Sequence, residues 1–197
     1  MSQKNYILAF DTANEIIAVG VGELERETAT IKVLASCETP AFRASNTKLI
    51  AKIDAALEDA GVAKSELACV ACGRGPGSFT GVRIAMATAK GSASALGVGL
   101  IGVSSLDAVA WNVQAAGGRG PLVVVADAMR KEVYPVRYAL DEEGVERLDS
   151  DRVVKAEDAA RELARGGDSL HGCARQQNAA RLLCGDALKK YGELFAG

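Results

Sequence analysis

The chain has 197 residues, of which 49% are hydrophobic, and its 23 basic and 25 acidic side chains leave a net charge of −2. That composition excludes a disordered chain and supplies a full core, arranged as one domain of two lobes or as two small ones. It also excludes a global basic field that would draw the whole protein to RNA or to an acidic membrane. No run reaches the roughly 18 apolar residues of a membrane span, and MSQKNYILAF carries no apolar signal region, so a cytoplasmic protein is expected.

In chain order, Tyr6 to Asp11 reads as a buried strand, Thr12 to Glu15 as a turn, Ile16 to Glu23 as a second strand and Ile31 to Cys37 as a third, together an antiparallel meander. Ser45 then caps a helix whose apolar positions Leu49, Ile50, Ile53, Leu57 and Ala60 recur at helical spacing until Gly61 stops it. A short turn at Ser65-Glu66-Leu67 leads to an apolar strand from Cys69, a glycine-rich turn, and a helix from about Val82 to Leu96. A strand near Leu100 to Val103 follows, and Ser104 or Ser105 caps a third helix running to about Ala116. Gly117 to Pro121 reads as a linker, which places one lobe at 1–118 and a smaller one at 119–197.

Beyond the linker the opening pattern returns. AFDTANEIIAVGV and VADAMRKEVYPVRY are each an apolar strand ending in aspartate, Asp11 or Asp127, then a short turn and an extended run. The scheme points to a duplicated unit. Val153 to Arg165 gives a helix, Arg165 to Asn178 a polar loop, and Leu182 to Phe195 a strand, Gly185-Asp186 and a final helix.

The glycine-rich turn is Gly75-Pro76-Gly77-Ser78-Phe79-Thr80-Gly81. Its glycines permit backbone angles that other residues resist, Pro76 fixes φ, and Ser78 and Thr80 set hydroxyls where a helix's free N–H groups point. The absence of G-x-x-x-x-G-K-[ST] excludes a P-loop. Gly75-x-Gly77-x-x-Thr80 lacks the third glycine and the later acidic residue of a dinucleotide fingerprint. Pattern alone leaves two readings open, an anion cradle and a compact strand-to-helix turn.

The helix after the turn has almost no polar face, with Arg83 and Lys90 its only charges. A helix so apolar, in a small two-layer domain, is expected to be buried on all sides and to need a second surface, so a helical oligomer interface is preferred over a purely internal helix. The five cysteines, Cys37, Cys69, Cys72, Cys173 and Cys184, read as reduced thiols. Cys69 and Cys72 stand three apart on a strand, on opposite faces, and so are poorly placed to chelate or to pair. His171, the only histidine, excludes any mechanism that needs two imidazoles and is read as a loop residue.

ILAFDTAN, GRGPGSFTGVRIAMATAKGSA, GLIGVSSLDAVA and VVADAMRKEVYPVRY together closely resemble the TsaB family of bacterial tRNA threonylcarbamoyladenosine-modification subunits, over roughly residues 6 to 140. CGDALKKYGELF resembles that family's Gly-Asp and terminal helix region. The family's usual tail, ending in a Tyr-Leu-Arg type motif, is not in this sequence, and a truncated or short variant is expected.

The resemblance implies an α/β, actin-like and Hsp70-like ATPase fold of two ribonuclease-H-like lobes of mixed sheet flanked by helices. It further implies a non-catalytic subunit of the glycoprotease-like class that heterodimerises with TsaD, the paralogue that transfers the threonylcarbamoyl group from threonylcarbamoyl-AMP to N6 of adenosine 37. TsaE would join a larger assembly, tRNA would be met only through the complex, and the chain alone would form a homodimer. No cofactor, metal or catalytic residue is implied for this chain. The implied interface lies on the helices at Ser45–Ala60 and Val82–Leu96, through Leu49, Ile53, Leu57, Val82, Arg83, Met86 and Lys90, with residues 75–81 shaping it. Asp11, Thr12 and Asp127 would be vestiges of a nucleotide cleft. A TsaD-like metal site needs His-x-x-x-His on one helix face; here that helix opens Ser45-Asn46-Thr47-Lys48-Leu49-Ile50, without histidine. The competing reading is a stand-alone enzyme, either a phosphotransferase using Asp11 and Asp127 or a glycoprotease-like peptidase.

Overall fold

The structure, a computed structural model, describes residues 5–40, 45–165 and 181–196, with the backbone only for 45–47. His171, Cys173, most of the expected polar loop and the side chains of Ser45 and Asn46 lie outside the described residues. The chain divides into two compact units after Ser105.

The first unit opens with β1 (Tyr6–Asp11), β2 (Ile16–Glu25) and β3 (Thr30–Pro40), the expected meander, followed by α1 (Ser45–Asp59), β4 (Leu67–Gly73), α2 (Phe79–Leu96) and β5 (Gly99–Val103). The sheet order is β3-β2-β1-β4-β5, antiparallel on the meander side and parallel from β1 to β5. Alternation along the strands sends Leu8 and Phe10, Val19 and Val21, Val70 and Cys72 to one face, where α1 and α2 cover them. The helices contribute Leu49, Ile53, Ala56 and Leu57 from α1 and Ala85, Ala89 and Ala93 from α2. Helix α1 ends in a paired backbone closure, Gly61 N–H to Glu58 C=O and Val62 N–H to Leu57 C=O, with Gly61 left-handed at φ 65° and Val62 buried with Leu57. This satisfies the last carbonyls and stops the helix at the glycine.

The second unit runs through α3 (Ser105–Ala115), β6 (Gly120–Asp127), β7 (Glu132–Leu140), β8 (Val145–Arg147), β9 (Val154–Lys155), α4 (Ala156–Ala164), β10 (Leu182–Cys184) and α5 (Leu188–Phe195). Its sheet reads β8-β7-β6-β10, with β9 also on β7. The central strand pairs antiparallel with the next in sequence and parallel with a later one, as β1 does in the first sheet. The fold is therefore the expected pair of ribonuclease-H-like lobes.

The division falls ahead of the 118/119 boundary read from the sequence. Leu106 and Ala110 of α3 are buried with Leu122, Val124 and Tyr138 of the second sheet, so the helix before the glycines belongs to the unit after them. Gly117 and Gly118 close α3 rather than link lobes, donating to Gln114 C=O and Val113 C=O, and β6 has begun by Gly120. Between β6 and β7 the turn holds three successive non-glycine residues left-handed, Met129, Arg130 and Lys131, at φ 64°, 52° and 62°. Such angles cost roughly 1–2 kcal/mol per residue.

Candidate functional site

The glycine-rich turn is stitched into the first unit by its own polar groups. Ser78 is the N-cap of α2, and its hydroxyl accepts from Gly81 N–H at 3.2 Å. The Ser78 amide donates to Ala13 C=O at 2.6 Å, and Thr12 Oγ1, itself buried, donates to Gly81 C=O at 2.6 Å. Arg74 N–H and Ser105 N–H tie the turn to the end of β5, through Val103 C=O and Gly75 C=O. The helix starts at Phe79, earlier than the expected Val82, because the cap is Ser78.

Two glycines here are imposed by crowding. A Cβ on Gly81 would overlap the Thr12 carbonyl, and one on Gly77, at φ 158°, would meet Ala13. Of the two readings of the turn, this geometry favours the compact strand-to-helix junction: the cap hydroxyl and the Ser78 amide are spent inside the fold, where an anion cradle would present them outward.

Asp11 is held in the same way. Its Oδ1 accepts from Ala13 N–H at 2.6 Å and its Oδ2 from Ser105 Oγ at 2.5 Å, in space left by Gly73, where a Cβ would collide with the carboxylate. Asp127 in the second unit repeats the local motif. Its Oδ1 accepts from Met129 N–H, also two residues on, at 3.0 Å, and its Oδ2 pairs with Lys190. The Asp127 amide donates to Asp186 Oδ1 at 2.9 Å, just past Gly185. The duplicated aspartates thus share a structural job, closing the turn after the central strand of each sheet. The fourth strand of each sheet leads to a glycine that makes room beside that central strand, Gly73 at Asp11 and Gly185 at the Val125 backbone.

The interface candidates separate into two groups. Leu49, Ile53 and Leu57 are buried in the first core, so they cannot meet a partner. They correct the sequence expectation, since the helical stripe that looked like a docking face is the face turned to the sheet. Ile50, one residue off the stripe and 51% exposed, is the large apolar group that α1 presents outward, beside Ala51, Asp54 and Ala55. On α2 the buried stripe is Gly81, Ala85, Ala89 and Ala93, and Val82 and Met86 are half-buried. Helix α2 is therefore not buried on all sides. It exposes Phe79, Arg83, Ala87, Lys90, Gly91 and Ala95. The Arg83 guanidinium lies 4.1 Å from the Phe79 ring centroid, and Phe79 itself is 69% exposed. The i, i+4 run Ala87, Gly91, Ala95 gives this face a shallow ridge across which another helix can approach closely.

The thiols are quiet. Cys37, Cys69, Cys72 and Cys184 are free, with Cys72 on the helix-covered face and Cys69 on the other, as the strand reading expects. Burial pushes the Cys69, Cys72 and Cys184 thiols above their ordinary value, and for Cys72 the Asp11 carboxylate adds to the effect, which disfavours the nucleophilic thiolate. No helix among the described residues is long and apolar enough to cross a membrane.

A family model described as TsaD, tRNA N6-adenosine threonylcarbamoyltransferase, matches residues 39–194. The chain is 39% identical over 138 residues to a Mycobacterium tuberculosis protein, an alignment covering 69% of this chain and 60% of the relative. It is 32% identical over 139 residues to the Escherichia coli tRNA threonylcarbamoyladenosine biosynthesis protein TsaB, covering 71% and 57%. Among solved structures, YeaZ from Pseudomonas aeruginosa superposes with a TM-score of 0.67 at 31% identity, over 78% of this chain and 68% of that one. The chain spans about 60% of the length of the curated relatives it matches.

Proposed function

The chain belongs to the TsaD family, and within it to the TsaB (YeaZ) group, and from that premise we propose that it is the non-catalytic subunit that pairs with TsaD in threonylcarbamoyl modification of tRNA adenosine 37. The observation that carries this reading is the outward face of α2, where Phe79, Arg83, Ala87 and Gly91 lie on a helix whose buried stripe is already filled. A face of small side chains with one stacked aromatic–guanidinium pair suits a helix-to-helix joint, since small residues let backbones approach and Phe79 and Arg83 supply anchors of the kind that dominate interface energies. Ile50 and Ala51 are exposed on α1, the helix that packs on the same core as α2, and belong to the proposed joint. The glycine turn serves by fixing where α2 starts, and so where Phe79 stands. In the absence of TsaD, the same face pairs two copies of this chain. TsaE joins the assembled pair, and tRNA is bound within that complex.

A stand-alone phosphotransferase is less favoured, because the two aspartates it would use are each occupied inside their own unit, Asp11 by Ala13 and Ser105 and Asp127 by Met129 and Lys190. The test is a pair of neighbouring substitutions. Ile50→Glu should leave stability within about 0.5 kcal/mol yet abolish co-elution with TsaD on size exclusion with light scattering. Leu49→Ala should cost roughly 3 kcal/mol of stability while the fraction that remains folded still pairs. If Ile50→Glu co-elutes as well as the parent chain, together with an Ala87→Glu variant that does the same, the joint lies elsewhere.

A further inference from the structure

We infer that the β6–β7 turn, Met129-Arg130-Lys131, is a contact for the RNA phosphate backbone, an inference that rests on the tRNA-modification reading above. All three residues are left-handed and exposed, Met129 at 63%, and the tight β6–β7 hairpin turn, closed by Glu132 N–H to Met129 C=O, requires positive φ at its two central residues, Arg130 and Lys131. The turn is also pinned. Ala128 N–H donates to Glu132 C=O, Glu132 N–H to Met129 C=O, and Ala156 N–H, at the start of α4, to Lys131 C=O, at 2.9, 2.8 and 2.9 Å. Arg130 and Lys131 are therefore carried on a held loop and not on a loose one.

The local charge balance supplies the partner's chemistry. The carboxylates flanking the turn are taken: Asp127 pairs with Lys190, whose ammonium also lies 4.0 Å from Met129 Sδ, and Glu132 pairs with Lys155 at 2.9 Å. Asp186 accepts the Asp127 amide. Among the described residues neither Arg130 nor Lys131 has a carboxylate partner. A chain of net charge −2 thus carries, on a pinned hairpin turn, two adjacent cations with no carboxylate partner among the described residues, next to two ion pairs whose cations can share a second anion. Closely spaced cations on a rigid support match a polyanion with regularly spaced charges, which is what a phosphodiester backbone offers.

The probe is a fluorescently labelled, unmodified tRNA transcript that reads an ANN codon, titrated by anisotropy at several salt concentrations with the chain alone and with its complex with TsaD. The double variant Arg130→Glu, Lys131→Glu should weaken binding about tenfold or more and make the dependence of log K on log salt shallower by roughly 2, the slope carried by two phosphate contacts. Lys131→Gly separates strain from charge. Glycine relieves one left-handed residue, so Tm should rise by roughly 2–4 °C, while tRNA affinity falls several-fold. The inference is overturned if the double variant keeps the parent's Kd and salt slope, if Lys131→Gly gains stability at unchanged affinity, or if the parent binds no tRNA at low salt in either form. Failure to co-elute with TsaD counts against the proposed function alone, since the titration of the free chain still decides the role of the turn.

Discussion

The first sheet carries its helices on one face, whereas the second carries them on both. In the first unit, α1 and α2 bury Leu8, Phe10, Val19, Val21 and Val70, while the opposite face of the same strands holds Ala9, Ala18, Gly20, Ala71 and Gly99 and, among the described residues, gathers no helix of that unit. In the second unit, Leu122, Val124 and Tyr138 are buried with α3, and Val123 and Val125, one step along the same strand, with α4 and the residues of α5. One strand order thus supports two different layerings.

The means of cohesion differ as well. Close backbone approach at Gly73, Gly77 and Gly81 holds the first unit's functional end together. The second unit relies on carboxylate–guanidinium hydrogen bonds. Arg137 offers Asp149 its backbone N–H, Nε and Nη2 at 3.0, 2.8 and 2.7 Å, and Arg147 reaches Asp107 and Asp151 at 2.8 and 2.6 Å. The buried Tyr138 hydroxyl donates to Asp107 at 2.8 Å, and burial, with that carboxylate, pushes the phenol above its usual range. A unit locked by shape tolerates no added atom at those three glycines, and a unit locked by charge answers to pH.

The sharpest way to break this contrast is Gly81→Ala. The new Cβ would overlap the Thr12 carbonyl, at an expected cost of about 4 kcal/mol, read in a denaturant melt followed by signals from the first unit; a loss under 1 kcal/mol would mean that the turn yields. Next comes Asp149→Ala, which strips three charge-assisted hydrogen bonds from Arg137 and should cost roughly 2–3 kcal/mol. The Arg137 side chain, through its hydrogen bonds, holds the Asp149 carboxyl below its ordinary value. Its stabilisation is therefore present above the unfolded carboxylate value near pH 4 and is lost as pH falls through the lower folded value, so the parent chain should lose more stability on acidification than the variant does. The smallest effect is Gly91→Ala. A Cβ there meets nothing within 4 Å, so the helix should gain up to about 1 kcal/mol, seen as a raised Tm, while pairing with TsaD weakens because the ridge has grown.

Sequence reasoning captured local events best. The strand reading gave β1 with its bounds intact, and Gly61, read as a helix stop, is left-handed. It misassigned outward and inward on α1, where Leu49 and Ile50 are both apolar and the choice depends on which side the sheet lies, a long-range fact. The same limit hid α3's allegiance: the glycines after it look like a linker, but Leu106 and Ala110 are committed by contacts with strands not yet formed at that point in the chain. Ser104 or Ser105 read as a helix cap, and nothing local signals that the Ser105 hydroxyl meets Asp11, 94 positions earlier. The duplicated aspartates were visible as a pattern; their use as turn closures required the hydrogen bonds.

One consequence concerns handling. Strand β5, Gly-Leu-Ile-Gly-Val, ends the first sheet, contains no charge or proline, and leaves Leu100, Ile101 and Val103 exposed. An uncharged apolar edge is a template for strand addition from another molecule. We expect concentrated preparations to have an edge-to-edge route to self-association, fibrous and open-ended, beside the pairing proposed for α2. A charged gatekeeper placed in β5 suppresses that route while leaving the helical face intact.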